Sequence, residues 1–357
     1  MDKIILNVIK KLKKNGYEAY VVGGYVRDKL LGIESNDVDI CTNALPKEII
    51  DILKLDKTTI DNCGCVNIKT KKYNIDITTF REENNYQNRR PKTINYVDDL
   101  TKDLKRRDFT INSIVLDCNE NIIDIYNGKS DIENKIIRCI GNVKKKLTED
   151  PLRILRAIRF AIIYDFKIDE EIIKFIVNNK ELLKDLSYYR KRQELDKILS
   201  SSNRIKGLNY IKKLNLLDVL EIGFNDIKDC NDLLGMYAQI TLSNKYPFNK
   251  YENMILKNIK EVLKINNINN KILYKYGLYI CLVVGEIIGV DNITVNKMYK
   301  GLPIKSRKDI KINVKSIVKL NNNCYNNINE IYLDLENKIL EGTLINNSKN
   351  IIKYLRK

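Results

Sequence analysis

Residues 20–42, YVVGGYVRDKLLGIESNDVDICT, constrain this chain more than any other stretch. The apolar run Tyr20-Val21-Val22 leads into Gly23-Gly24, a helical pattern follows over 25–31, and Gly32 closes it. That order predicts a strand, a tight turn and a helix start. Backbone N–H groups at Gly23 and Gly24, pointing out of a turn at a helix N-terminus, suit a polyphosphate. Asp37-Val38-Asp39 comes next. In an extended segment a period of two puts both carboxylates on one face, where they can share divalent cations. A nucleotide held by its phosphates over a metal pair is the first expectation.

Composition narrows the partners. The 357 residues allow two or three domains, and a formal charge of +17 favours a polyanion, nucleic acid above all. The chain has no histidine, which excludes His-ligated metals, Ser-His-Asp triads and His general bases. Of the 8 cysteines only Cys63 and Cys65 are close, no paired CxxC spacing completes a zinc site, and the set reads as buried thiols of a reducing cytosol. The opening MDKIILNVIKKLKKNG has no signal-peptide core; Ile4, Ile5, Val8, Ile9 and Leu12 make it an amphipathic helix ending near Gly16. The apolar stretch 278–290 is interrupted by Glu286 and falls short of the ~20 residues of a membrane span. A soluble, cytoplasmic protein without a membrane partner is expected.

Short strand-like runs at 19–22, 38–41, 65–69, 73–78 and 114–118 alternate with helical ones at 46–53 and 108–113. After about residue 145 only helical periodicity remains, at 150–163, 169–177, 192–199, 252–265 and 327–341. The reading is α+β and multidomain, a mixed head followed by a long helical body. Residues 82–99, EENNYQNRRPKTINYVDD, are polar, show no sustained period and are expected to be a long mobile loop with a basic centre at Arg89, Arg90 and Lys92.

Three further constellations carry chemistry. Asp76, in a strand-like alternation opposite in phase to Ile75 and Ile77, is a candidate third carboxylate that helps deprotonate an attacking hydroxyl. In KRRDFTIN, Arg107 can hold phosphate or ribose and Asp108 can accept from a sugar hydroxyl; as a plain charged helix start the same residues would be a cap. In TEDPLRILRAIRF, Asp150, Arg153, Arg156 and Arg159 form a drifting stripe beside an apolar face of Leu152, Leu155, Ile158 and Ile162. An acid and an arginine so paired match the amino donor and ring-nitrogen acceptor of cytosine or adenine, while uracil and guanine set a carbonyl against the carboxylate. The plain alternative is a surface ion pair of about 0.3–0.5 kcal/mol. Over 301–320, Lys308, Lys311, Lys315 and Lys319 recur at helical spacing opposite Ile310, Val314, Ile317 and Leu320, either as a phosphate-binding face or as solvated lysines.

The series GGYVRDKLLG, NDVDICT, DITTF, RRDFTINS and LTEDPLRILRAIRF resembles the class II tRNA nucleotidyltransferases, the CCA-adding enzymes, whose head is shared with bacterial poly(A) polymerases. The motif-bearing match covers roughly residues 17–200. The resemblance implies a DNA-polymerase-β-like nucleotidyltransferase head over 1–140, a helical neck over 141–200 and a helical body and tail over 201–357 that bind tRNA. It further implies Asp37 and Asp39 as ligands of a Mg²⁺ pair, Gly24 and Arg27 at the triphosphate, and Arg107 and Asp108 at the sugar, with Gly23, Asp28 and Asn112 as further nucleotide-binding residues. Asp150, Arg153, Arg156 and Arg159 then lie on a helix that selects CTP and ATP without a nucleic-acid template. The region 86–98 corresponds to the flexible element that complete CCA enzymes use to switch to ATP and partial CC-adding relatives lose. Tyr189 stands where the neck motif usually carries an acid, and the lack of histidine implies no appended HD phosphohydrolase domain. Alternatives are a poly(A) polymerase, a partial CC- or A-adding transferase and, in another class, a non-catalytic RNA-binding protein on a decayed head.

Overall fold

The computed structural model describes residues 1–55, 64–87, 90–320 and 328–356, with the backbone alone for 84–87, 90–92 and 320. These fall into two units, Met1–Glu221 and Ile222–Lys357. Cys63, Arg89 and residues 321–327 lie outside the described residues.

The first unit opens with α1 (Lys3–Lys14), capped by the Asp2 carboxylate, which buries Ile5, Val8, Ile9 and Leu12. Six strands follow in the order β3-β4-β2-β1-β7-β8, namely β1 (Ala19–Val22), β2 (Asp37–Thr42), β3 (Cys65–Lys69), β4 (Asn74–Thr79), β7 (Val115–Leu116) and β8 (Ile122–Ile123). Within this sheet only β2 and β4 pair in parallel. Helices α2 (Gly24–Leu30) and α3 (Pro46–Leu53) lie in the connections between these strands. Val22, Cys41, Phe80, Leu104 and Val115 form a buried cluster.

Residues 82–99, expected as a loop, contain most of an antiparallel hairpin of β5 (Arg81–Gln87) and β6 (Arg90–Tyr96). The strands carry charged and amide side chains in place of an apolar alternation, so period two left no hydrophobic trace. The hairpin base is tied by charge: Arg81 pairs with Glu83, and Glu83 with Arg106. Helices α4 (Leu100–Arg106) and α5 (Gly128–Glu133) complete the head. The chain then runs helically through α6 (Val143–Glu149), α7 (Leu152–Ile163), α8 (Glu170–Asn179), α9 (Tyr188–Leu199), α10 (Arg204–Lys213) and α11 (Leu217–Leu220).

The second unit holds α12 (Leu233–Ala238), α13 (Lys250–Ile265), α14 (Asn270–Ile288), α15 (Asn292–Lys300), α16 (Val314–Leu320), α17 (Ile328–Leu340) and α18 (Ser348–Leu355). Residues 301–320 are not one helix as their spacing suggested. Gly301 caps α15, and Asp309 turns back to accept from the backbone N–H groups of Lys305 and Ser306, so α16 begins only at Val314. Lys308 and Lys311 therefore lie outside α16, which carries Lys315 and Lys319; all four are exposed, and Val314 is exposed too. No helix among the described residues is long and apolar enough to cross a membrane.

Candidate active site

A cavity of about 500 Å³ opens in the first unit where α2, β2 and α7 meet. Gly23, Gly24 and Arg27 line it from the turn and helix after β1, and Asp39 from β2. Gly23 has φ +76, a conformation that favours glycine. A Cβ there would stand 2.7 Å from Asp39 Oδ2, so the turn and the carboxylate come together only because the side chain is missing.

The carboxylates sit on neighbouring strands. Asp37 and Asp39 share a face of β2, and Asp39 is the register partner of Asp76 on β4. Asn74 donates to Asp37 Oδ1 at 3.0 Å and Asn67 to Asp76 Oδ1 at 2.5 Å. Burial raises the Asp39 pKa, Arg107 opposes this, and the charges of Asp76 and Asp37 add to the rise. Among the described residues no three Cys, Asp or Glu side chains converge as a metal cluster. Asp39 in the cavity wall, with Asp37 two residues before it on the same face of β2, nevertheless fits Mg²⁺, which commonly takes one or two protein carboxylates and completes its shell with substrate phosphates and water.

Arg27 is 5% exposed and held on every side. Its Nε and Nη2 donate to Asp28 Oδ1 at 3.0 and 2.8 Å, its Nη1 donates to Asn112 at 2.5 Å, and its guanidinium lies 4.4 Å from the Tyr164 ring centroid. The Tyr164 hydroxyl also donates to Asp28, at 2.9 Å. Asp28 thus braces Arg27 and does not itself line the cavity.

Opposite the sheet, Asp108 accepts from its neighbour's backbone Phe109 N–H at 2.8 Å, from Asn112 at 3.0 Å and from Arg156 Nε at 2.7 Å. Burial alone would raise the Asp108 pKa, but the Arg156 charge and these hydrogen bonds outweigh it and hold the carboxyl well below its ordinary range. Arg107 donates to Asp103 at 3.2 Å. Asp103, fully buried, also takes Arg106 Nε at 2.9 Å.

Asp150, Arg153 and Arg156 all line the cavity, and Arg159 does not. Arg159 faces Glu194 of α9 at 3.0 Å, an ion pair without hydrogen-bond alignment. Asp150 precedes α7, as the extended residue that caps α6; along α7 each step of three residues falls about 60° short of a full turn, so Arg159 has wound about 120° away from Arg153. Asp37 and Asp76 lie outside the cavity lining as well, and the four lysines belong to the second unit. Residues that spacing did not single out join the wall: Arg81, Glu83, Arg106 and Phe160. The run Asp103-Leu104-Lys105-Arg106-Arg107, an acid three and four residues before arginines, held the one available signal for the network under Arg107.

Comparison with known proteins agrees with this geometry. The model of the "Poly A polymerase head domain" matches residues 19–138, and that of the "Probable RNA and SrmB-binding site of polymerase A" matches residues 165–222. The CCA-adding enzyme of Ligilactobacillus salivarius is 33% identical over 99% of this chain and 96% of its own length. This chain belongs to the CCA-adding enzyme family. The CCA-adding enzyme of Lactobacillus johnsonii is 32% identical over 98% of this chain and 96% of its own. Among solved structures, the Bacillus stearothermophilus CCA-adding enzyme in complex with CTP superposes with a TM-score of 0.83 at 26% identity, covering 99% of this chain and 97% of that one. The Thermotoga maritima CCA-adding enzyme complexed with tRNA shares the fold, with a TM-score of 0.72 at 22% identity over 99% of this chain and 95% of that one. The mixed head and helical remainder are therefore those of a CCA-adding enzyme.

Proposed function

We propose that this chain completes the 3′ end of tRNA with CCA, taking CTP and ATP as substrates and releasing pyrophosphate, in the cytoplasm. The observation that carries the reading is identity along the whole length of a CCA-adding enzyme, joined to one cavity that gathers the glycine turn, Asp39, Arg107–Asp108 and Asp150–Arg153. In functional terms residues 1–140 are the catalytic head, 141–200 the neck with the nucleotide-selecting helix, and 201–357 the body and tail that hold tRNA.

Gly23, Gly24 and the braced Arg27 receive the triphosphate, the backbone N–H groups and guanidinium meeting phosphate oxygens. Asp37 and Asp39 would hold a Mg²⁺ pair, which when bound supplies charge neutralisation at the triphosphate and acidifies the attacking hydroxyl. Asp76, register partner of Asp39, is the candidate to receive the proton of the 3′ hydroxyl. Arg107, Asp108 and Asn112 bind the sugar side. Asp150 and Arg153 read the base edge, as donor and acceptor matching requires, with Arg156 holding Asp108 in place. Arg159 supports α7 through Glu194, and Asp28 supports Arg27. The hairpin of β5 and β6 is retained, which favours complete CCA addition over CC addition alone. Lys308, Lys311, Lys315 and Lys319 are proposed tRNA phosphate contacts.

The test is incorporation of CTP and ATP, each alone and together, into tRNAs lacking none, one, two or three terminal nucleotides. Two C additions and one A addition, then arrest, are expected. Unlimited ATP addition would instead mean a poly(A) polymerase, arrest after CC a partial enzyme, and no incorporation a binding protein.

A further inference from the structure

The last carbonyls of a helix have no donor within it. At the end of α4 they are covered by cations from two other helices. Lys146 of α6 places Nζ 2.5 Å from Lys105 O and 3.1 Å from Arg107 O. Arg153 of α7 takes the carbonyl between them, with Nη2 3.3 Å from Arg106 O, and its Nη1 lies 2.9 Å from the carbonyl of Lys146 itself. Three consecutive carbonyls immediately before Asp108 are thus bound by two side chains, and one of these, Arg153, is also bound to the backbone carbonyl of Lys146. Burial, and then the Arg153 charge, lower the Lys146 pKa to about 8, which leaves the ammonium charged at neutral pH.

We infer that Lys146 is a positioning residue for nucleotide choice: by joining the carbonyls of Lys105 and Arg107 to α6, it fixes the plane of Arg153 and its distance from Asp108. The inference rests on the proposed reading of Asp150 and Arg153 as the base-selecting pair. Lys146 itself is not among the residues lining the cavity, so it acts through Arg153. An ammonium is a compact point charge that can serve two carbonyls at once. With a neutral side chain both carbonyls lose the Lys146 donor, and Arg153 is the cation already bonded to the carbonyl between them. A guanidinium drawn further towards them no longer presents the same edge to a base. Selection by hydrogen-bond matching is sensitive to such displacement, since about 1 Å can cost roughly 10²-fold.

The test compares Lys146→Met and Lys146→Arg with the unaltered protein in single additions of CTP and UTP to tRNA lacking its three terminal nucleotides. Thermal melting is measured alongside. Lys146→Met is expected to lower the CTP:UTP ratio of kcat/KM by about 10-fold or more. Lys146→Arg, which keeps a cation at the carbonyls, should hold the ratio near its original value. A folded Lys146→Met protein with an unchanged ratio would overturn the inference, as would equal losses for both nucleotides, which is what a merely structural role produces. Should Lys146→Met not fold, Lys146→Gln, with a donor for one carbonyl, is read in the same way. An unaltered protein that takes UTP as readily as CTP sinks the base-selecting assignment itself, which separates the two failures.

Discussion

On the sheet side of the cavity, Asp39 accepts no hydrogen bond from a described side chain and stands near two other carboxylates, whereas on the helical side Asp108 is satisfied by Phe109, Asn112 and Arg156. The sheet side is positioned by backbone. Strand register alone sets Asp39 beside Asp76, so the Asp39 carboxylate is held there without a donor among the described side chains. The helical side is positioned by bonds that its side chains make: Arg107 to Asp103, Arg156 to Asp108, and Arg153 to the backbone carbonyls of Arg106 and Lys146. Uncompensated charge is thus concentrated on the wall set by strand register, and mutual dependence on the wall built from helices.

This contrast can be broken by experiment. The largest effect should come from Asp39→Ala, or Asp37→Ala: nucleotide addition should fall by roughly 10³-fold or more while the melting temperature holds, or rises for Asp39→Ala, where a poorly compensated buried carboxylate has been removed. Near-normal incorporation by Asp39→Ala would end the metal assignment. Next, Gly23→Ala puts a Cβ 2.7 Å from Asp39 Oδ2 at a left-handed φ. The expectation is a loss of about 1–3 kcal/mol in stability, together with a drop in kcat that exceeds any change in the KM for CTP. An alanine variant as stable and active as the parent would show the turn to be less constrained.

On the other wall, Arg156→Ala leaves Asp108 buried without its cation. Stability should fall by roughly 2 kcal/mol, below the usual cost of a broken buried pair because the Arg156 side chain is 33% exposed. If Asp39→Ala and Arg156→Ala shift melting equally, the contrast fails. Acid titration sharpens the same point. The folded pKa of Asp108 is depressed below its usual 3.8, so its pairing contributes fully above about pH 4 and is lost as pH falls towards the folded value. The stability gap between the parent and Arg156→Ala should therefore close below pH 4, and a gap that widened there would contradict the pairing. The smallest effect on catalysis is expected from neutralising Lys308, Lys311, Lys315 and Lys319 together. The slope of log tRNA affinity against log salt should flatten by about 0.7–0.9 for each phosphate that the variant no longer neutralises, and an unchanged slope excludes a role for these lysines in holding tRNA.

Much of this was legible from residue order. The strand, Gly-Gly turn and helix of residues 20–31 need only local steric rules, and Asp37 and Asp39 follow from period two. The helix carrying Arg153 announces itself by an apolar stripe and Pro151 at its start. What escaped was set by contacts between distant segments. A polar hairpin has no hydrophobic alternation to read, and Arg81, Glu83 and Arg106 meet only once that hairpin forms beside α4. The lysine spacing over 301–320 was regular in sequence, yet a capping turn at Ser306–Asp309 interrupts the helix it implied. Spacing also could not separate Arg156 from Arg159, since a stripe of threes winds around its helix.

The bond from Tyr164 to Asp28 closes a span of 136 residues, and that from Arg27 to Asn112 a span of 85. Such closures are slow steps in folding, because chain entropy must be lost before the contact rewards it. During synthesis the head emerges first, with Arg27 lacking the ring of Tyr164 and Asp108 lacking its partner on α7. A ribosome-bound fragment ending before residue 150 would hold Asp37, Asp39 and Asp76 but not Asp150, Arg153 and Arg156. The order of the elements along the chain thus leaves one wall of the cavity incomplete until α7 has been made, and the partners of Arg27 and Asp108 arrive together with it.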